Sequence, residues 1–347
     1  MKRFRLLIAG AAILGAAAVA SPCSRVTYIS ADTTEVLVGR TLDWRTPIPT
    51  NLYVYPAGMK KMSMPEGPAY HWTSKYGSVL AVGYDGGVTE GMNERGLVMN
   101  GLFCKTSVYR TEANSPAGTP VMSLAVLISY FLDNFATVDE AYDWISKNEF
   151  AISGKTFDGG TVSLLHWALT DPTGDTMVIE YVDGNVNLYR GSDLLVLTND
   201  PALPAMQAIN TYWESVGGVH MLPGTVRSTD RFVRGSFFIK HIPDNLSGMT
   251  AVSALSTVMA NVSVPYGYTI VGEPNVSMTQ WRSIANARNR VYYMRFADTL
   301  GNFWIDLSRL DVRPGAPVLK LDTSRERAVY GCVNDRLRRS EPFTPMY

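Results

Sequence analysis

The chain has 347 residues, 46% of them hydrophobic, which is ample material for a large core. Lys+Arg and Asp+Glu both number 31, and residues 1–22 hold three cations and no acid, so the remainder is slightly acidic and carries no footprint for nucleic acid. The three cysteines, Cys23, Cys104 and Cys332, are too few for a disulfide scaffold; whether Cys104 pairs with Cys332 is left open.

In chain order, Lys2, Arg3 and Arg5 precede an apolar run at 6–17 and the small-x-small site Ala18-Val19-Ala20. This is the pattern of a secretory signal peptide. The run falls short of the roughly 20 residues that a membrane span needs, so residues 1–22 are expected to be a signal peptide with a short pro-segment, and the mature form to have no stable span. Cleavage after Ala20 leaves Ser21-Pro22 ahead of Cys23. A cysteine so placed is lipidated, or exposed as a functional N-terminal residue, or an ordinary residue at a strand start. Pro22 before it and Ala20 three before it fit lipoprotein processing poorly. On the residues alone the ordinary cysteine is the plainest account.

Runs of β-branched and aromatic residues predict strands at 26–29, 35–39, 52–55, 79–83, 164–170, 177–182, 186–189 and 194–198. Asp183-Gly184 marks a hairpin turn between two of them, and 290–296 with 302–307 reads as another hairpin. Helices are expected at 122–135, from the N-cap Thr137 with Glu140 three residues on to about Lys147, and at 202–216, 231–239 and 251–261. The pattern is α+β: one domain over 23–347, with antiparallel strands at its centre and helices outside.

Several chemistries are excluded by pattern. His71, His166, His220 and His241 are scattered without metal-ligand spacing, and His166, inside an apolar run, reads as a satisfied core residue. There is no Walker motif, dinucleotide fingerprint or G-x-S-x-G elbow, and the piece Gly83-Tyr84-Asp85-Gly86-Gly87 reads as a turn. No cofactor or metal is implied. Hydrolysis without a metal or a histidine base leaves few routes. One is a nucleophile whose base is the chain's own α-amine, which titrates at about 7.7–8.0.

Five motifs narrow the choice: Cys23-Ser24-Arg25-Val26 followed by Val38-Gly39-Arg40-Thr41-Leu42-Asp43-Trp44; Gly91-Met92-Asn93-Glu94-Arg95-Gly96-Leu97; Leu197-Thr198-Asn199-Asp200-Pro201; Met221-Leu222-Pro223-Gly224-Thr225; and Asp230-Arg231-Phe232-Val233-Arg234. In order and spacing, from Cys23 to about Leu307, the chain resembles the choloylglycine hydrolase family of bile salt hydrolases and penicillin V acylases. Trp72-Thr73-Ser74-Lys75-Tyr76-Gly77-Ser78, Leu132-Asp133-Asn134-Phe135-Ala136-Thr137-Val138 and Val262-Ser263-Val264-Pro265-Tyr266-Gly267 are similar to its exported Gram-negative branch.

The resemblance implies an αββα N-terminal-nucleophile sandwich, export to the periplasm, a homotetramer and a small-molecule N-acyl amide substrate. It makes Cys23 the nucleophile with its own α-amine as base, and sets Arg40 beside it. Asp43 then holds the amine, and the Asn199 side chain and the Phe103 backbone N–H form the oxyanion hole. Arg231 supports the charge network. Asp200 stands where the family commonly has Ser, and Phe103 where relatives vary. Trp44, Phe103, Tyr84 and Met92 are expected on the pocket wall, whereas Glu94 and Arg95 read as structural. The substrate reading at this level leans to conjugated bile salts, with penicillin V or N-acyl homoserine lactones as alternatives. A lipid-anchored binding protein that keeps the fold is the reading from another class.

Overall fold

Strands hold more of the described residues than helices do, as the β-branched and aromatic runs require. The computed structural model describes residues 23–154, 156–157, 161–271 and 277–347; the targeting segment expected over 1–22 lies outside them. One sheet has seven strands in the spatial order Val196–Leu197, Ser24–Ile29, Val36–Trp44, Met278–Asn286, Val291–Phe296, Phe303–Asp306 and Gly331–Cys332. The other has nine: Asn185–Arg190, Thr176–Val182, Leu165–Thr170, Val98–Phe103, Gly87–Asn93, Ser78–Gly83, Thr50–Tyr55, Leu319–Leu321 and Arg338–Arg339. Their pairings are antiparallel, apart from the short parallel edge pair of Phe303–Asp306 with Gly331–Cys332.

Three apolar clusters fill the spaces between four layers. Val38, Leu42 and Trp281 of the first sheet meet Leu52, Val79 and Met92 of the second. Outside the second sheet, α1 (Leu124–Asn134) and α2 (Val138–Ile145) bury Leu127, Phe131 and Val138 against Leu80 and Met99. Outside the first, α3 (Leu203–Val216), α4 (Ser228–His241) and α5 (Gly248–Asn261) bury Met206, Phe232 and Leu255 against Val26 and Leu37. This is an α+β sandwich of two sheets between helix layers, as expected. Close approach is built in at Gly91, where a Cβ would meet the Val79 carbonyl oxygen at 2.6 Å and the Leu132 side chain of α1 at 2.9 Å.

Local signals set several boundaries. Thr137 accepts the Glu140 N–H and starts α2, and Asp183-Gly184, both at positive φ, turns the hairpin Val182↔Asn185. The helix expected from 122 begins at Leu124, because Val121–Ser123 pairs as a short strand with Ala151–Ser153 and Ser123 then caps α1. The strand expected at 35–39 runs on to Trp44, through Arg40, Thr41 and Asp43. Gly87–Asn93, Val98–Phe103 and Met278–Asn286 are strands for which the apolar pattern gave no expectation, since each turns polar side chains inward. No helix among the described residues is long and apolar enough to cross a membrane.

Candidate active site

The pairing of Ser24–Ile29 with Val36–Trp44 puts Ser24 opposite Thr41 and Arg25 opposite Arg40, which carries Cys23 on towards Leu42 and Asp43. Side chains alternate along a strand. Arg40 therefore faces the second sheet and Asp43 the opposite side, and Cys23, at the strand start, is reached from both. Cys23 is buried; its Sγ lies 3.9 Å from Arg40 Nη2 and 3.8 Å from the Asp43 carbonyl oxygen.

The main chain of Cys23 is gripped at both polar atoms. Its N–H donates to Asn199 Oδ1 at 2.6 Å, and its carbonyl accepts from Arg231 Nη1 at 2.7 Å. Arg231 also donates through Nη2 to Asn199 Oδ1 at 2.8 Å and through Nε to the Val226 carbonyl at 2.9 Å. One guanidinium from α4 thus ties Cys23, just ahead of the strand Ser24–Ile29, to the segment after Val196–Leu197. Burial lowers the Arg231 pKa to about 10 against the pull of Asp43 and Cys23, which leaves it charged at neutral pH.

Asn199 Nδ2 donates to the Phe103 carbonyl at 2.7 Å, which leaves its second hydrogen for another acceptor. Phe103 faces Leu165 in a non-hydrogen-bonded pair, since it is Cys104 N–H that donates to the Leu164 carbonyl. The Phe103 N–H and C=O therefore both point away from that strand, towards Asn199. Asp43 Oδ2 accepts from Thr41 Oγ1 at 2.9 Å, while its buried Oδ1 has no partner. Burial raises the Asp43 pKa to about 6, opposed by Arg231, by hydrogen bonds from Thr279 and Thr41, and by Arg40. The Cys23 nitrogen thus bonds to Asn199 rather than to Asp43. In the full-length chain it is a peptide N–H with a single hydrogen to give.

Beneath Arg40 lies a polar network for which the sequence motifs gave no role. Glu90 Oε2 accepts from Arg40 Nη1 and from Asn100 Nδ2, both at 3.1 Å, and Oε1 accepts from Ser283 and Tyr292, both at 2.5 Å. Asn100 Oδ1 in turn accepts from Arg25 Nε at 2.9 Å, and Arg25 is completely buried. Arg40 also donates to the Gly101 carbonyl at 3.1 Å and lies 4.7 Å from the Trp281 ring. Glu90 is therefore the counter-charge that makes a buried Arg40 tolerable. The signal for it is a lone acid inside a strand, overshadowed by Glu94 four residues on. Glu94 merely accepts the Gly77 N–H at 2.8 Å.

Cys23 closes one end of an apolar cavity of about 130 Å³, walled by Leu42, Trp44, Val88, Phe103, Leu124 and Leu165 and rimmed by Gly83, Tyr84 and Gly87. Trp44 meets Phe103 edge to face at 5.5 Å. Met92 is not on this wall. It is fully buried between the sheets, because its strand carries it past the cavity into the sandwich core. Asp200 accepts the Thr106 N–H at 3.0 Å, clear of the Cys23 contacts. Cys104 and Cys332 are both free, one buried and one exposed. No cluster among the described residues is arranged to hold a metal ion.

Residues 23–318 match the family model of linear amide C–N hydrolases, choloylglycine hydrolase family. The chain is 33% identical to the penicillin V acylase of Pectobacterium atrosepticum, over 94% of this chain and 92% of that one. It is 25% identical to a bile salt hydrolase/transferase of Bifidobacterium longum, over 80% of this chain and 92% of that one. The solved penicillin V acylase from Agrobacterium tumefaciens superposes with a TM-score of 0.85 at 38% identity, covering 93% of this chain and 99% of that one. A mutant conjugated bile acid hydrolase from Clostridium perfringens shares the fold, with a TM-score of 0.71 at 22% identity over 86% of this chain and 96% of that one.

Proposed function

The chain belongs to the choloylglycine hydrolase family and is a hydrolase of linear, non-peptide carbon–nitrogen bonds; on that premise we propose that Cys23 is its nucleophile and that it takes the aryloxyacyl amide of penicillin V in preference to conjugated bile salts. The observation that carries the mechanism is the grip of Asn199 and Arg231 on both main-chain polar atoms of Cys23, at the floor of an apolar cavity. An ordinary strand residue has no need of a buried arginine and an asparagine amide on its backbone.

In this reading residues 1–22 are removed on export to the periplasm, and the Cys23 nitrogen becomes an α-amine. The amine takes the thiol proton and Sγ attacks the amide carbonyl. The tetrahedral oxyanion is met by the free Nδ2 hydrogen of Asn199 and by the Phe103 N–H, donors typically worth about 3 kcal/mol each in the transition state. The protonated amine has hydrogens to spare for Asp43 Oδ1. It gives its proton to the leaving nitrogen, a thioester remains on Sγ, and water attacking that thioester releases the acid. Arg40 supplies positive charge beside the sulfur, which favours thiolate.

The acyl preference rests on the wall. A cavity of about 130 Å³ lies below the range of ~300 Å³ and upward for sites that enclose a drug-sized ligand. It suits one aromatic ring against Trp44 and Phe103 better than a steroid nucleus. Two relatives above 30% identity, from Pectobacterium atrosepticum and Agrobacterium tumefaciens, are penicillin V acylases by name.

The test uses purified protein shown by mass analysis to begin at Cys23, with Cys23→Ser as control. Release of 6-aminopenicillanic acid from penicillin V should exceed amine release from taurocholate, glycocholate and an N-acyl homoserine lactone, and vanish in Cys23→Ser. Faster turnover of the bile salts would reverse the preference and keep the mechanism. Activity from protein that begins at Ser21, or that carries a lipid on Cys23, would sink the mechanism.

A further inference from the structure

One buried titratable cluster behind the site has no part in the steps above. His166, on the strand Leu165–Thr170, is completely buried, with Nδ1 2.9 Å from Glu180 Oε1 and Nε2 2.7 Å from the Thr198 carbonyl oxygen. A carbonyl oxygen only accepts, so Nε2 carries a hydrogen. Both oxygens of Glu180 also accept the N–H of Leu203, at 3.1 Å, in the first turn of α3, where a helix end favours a negative carboxylate. A carboxylate likewise only accepts, so Nδ1 carries a hydrogen too, and the ring is an imidazolium.

The group it grips matters. Thr198 directly precedes Asn199, and the same short segment is held from the other side by the start of α4. There the Asn199 N–H donates to Ser228 Oγ at 2.8 Å and Thr198 Oγ1 donates to the Ser228 carbonyl at 3.1 Å. The Asn199 backbone is thus clamped between a charged ring and a helix start, with its side chain left to serve Cys23.

We propose that His166 is a permanently protonated positioning residue: its imidazolium, paired with Glu180, holds the Thr198 carbonyl and so fixes the amide of Asn199 against the Cys23 nitrogen and the reacting carbonyl oxygen. The proposal rests on the reading of Asn199 as an oxyanion donor. The titratable groups that face the ring are Glu180 from Thr176–Val182 and the Cys104 thiol just past Val98–Phe103. Asp200 and Tyr189 stand one step behind, Asp200 on Cys104 and Tyr189 towards Glu180. Burial alone would lower the imidazole pKa; the hydrogen bonds and charges of Cys104 and Glu180 outweigh it and push it up to about 10. The charge therefore persists across the neutral range.

The decisive measurement is a ¹⁵N spectrum of the imidazole rings in the mature enzyme at pH 7.5, assigned with His166→Gln. One ring, absent in that variant, should show both nitrogens protonated. A neutral His166 ring at pH 7.5 overturns the proposal. Turnover tests the positioning. His166→Leu, which offers Thr198 no donor, should lose on the order of 10²-fold in kcat, the scale of a displaced oxyanion donor. Its KM should change far less, and Cys23 should still be alkylated at the wild-type rate. His166→Gln, which keeps one N–H donor without the charge, should recover part of kcat. Wild-type kcat in His166→Leu, or loss confined to KM, overturns the positioning role. If Asn199→Ala is as active as wild type, the oxyanion reading itself fails, whatever the spectrum shows.

Discussion

Asp43 is the residue on which the state of the chain's N-terminus should register most clearly. With Cys23 still in peptide linkage its carboxyl is held near 6 by burial. The folded state then prefers the protonated form. Stability is full below the unfolded value, near 4, and is lost as pH rises through about 6, by up to about 3 kcal/mol for a shift of about two pKa units. A free ammonium at Cys23 would face Asp43 Oδ1 and offset that loss. Protein beginning at Cys23 should therefore melt several degrees above an N-terminally extended form at pH 7, with the gap closing towards pH 4. Thermal unfolding of both forms at both pH values checks this, and a gap that does not depend on pH would mean that Asp43 does not receive the amine.

At the scale of elements, the hairpin formed by Ser78–Gly83 and Gly87–Asn93 sets the depth of the acyl cavity. Gly87 lines it, has ordinary φ, and an added Cβ would meet only the Ala125 Cα, at 3.8 Å. Gly87→Val should fold normally and fill the cavity instead. KM for penicillin V should rise at least tenfold, the scale of a misfit of one or two methylenes, while a short acyl amide is barely affected; equal effects on both would remove Gly87 from the acyl wall. This hairpin also marks the limit of what the sequence could tell. Cys23, Arg40, Asp43, Asn199 and Arg231 were legible because each sits in a motif of fixed spacing, and all five meet in the fold. Arg25, though inside the first motif, was given no role there. Glu90 and Asn100 were not legible, because inward-facing polar residues erase the alternation by which a strand is recognised. Gly87–Asn93 and Val98–Phe103 escaped notice for the same reason. Met92 was misplaced because a motif does not say which residues of a strand lie beyond the cavity. Helices were easier: Thr137 with Glu140, and the apolar run of α1, are local signals that packing did not override.

At the scale of the whole molecule, four layers bring distant parts of the chain to one end of the sandwich, and this includes residues beyond the family match, which stops at 318. Leu319–Leu321 pairs with Thr50–Tyr55, Phe343 packs on Tyr53 and Tyr55 at 5.9 and 6.0 Å, and the Met346 N–H donates to the Gly86 carbonyl at 2.8 Å. The Met346 side chain covers Gly86, where an added Cβ would come within 2.6 Å of it. The far end of the chain is thus laid over the turn whose flanking residues rim the cavity, while on the proposed mechanism the near end of the mature chain is the nucleophile itself. Neither is a neutral place to attach anything. On that mechanism an affinity tag ahead of Cys23 would cap the reacting amine, and one fused after Tyr347 is tethered beside the cavity mouth. A recombinant form meant for kinetic work is better given a short handle inserted at the turn of the exposed Asp183, at the edge of the nine-stranded sheet.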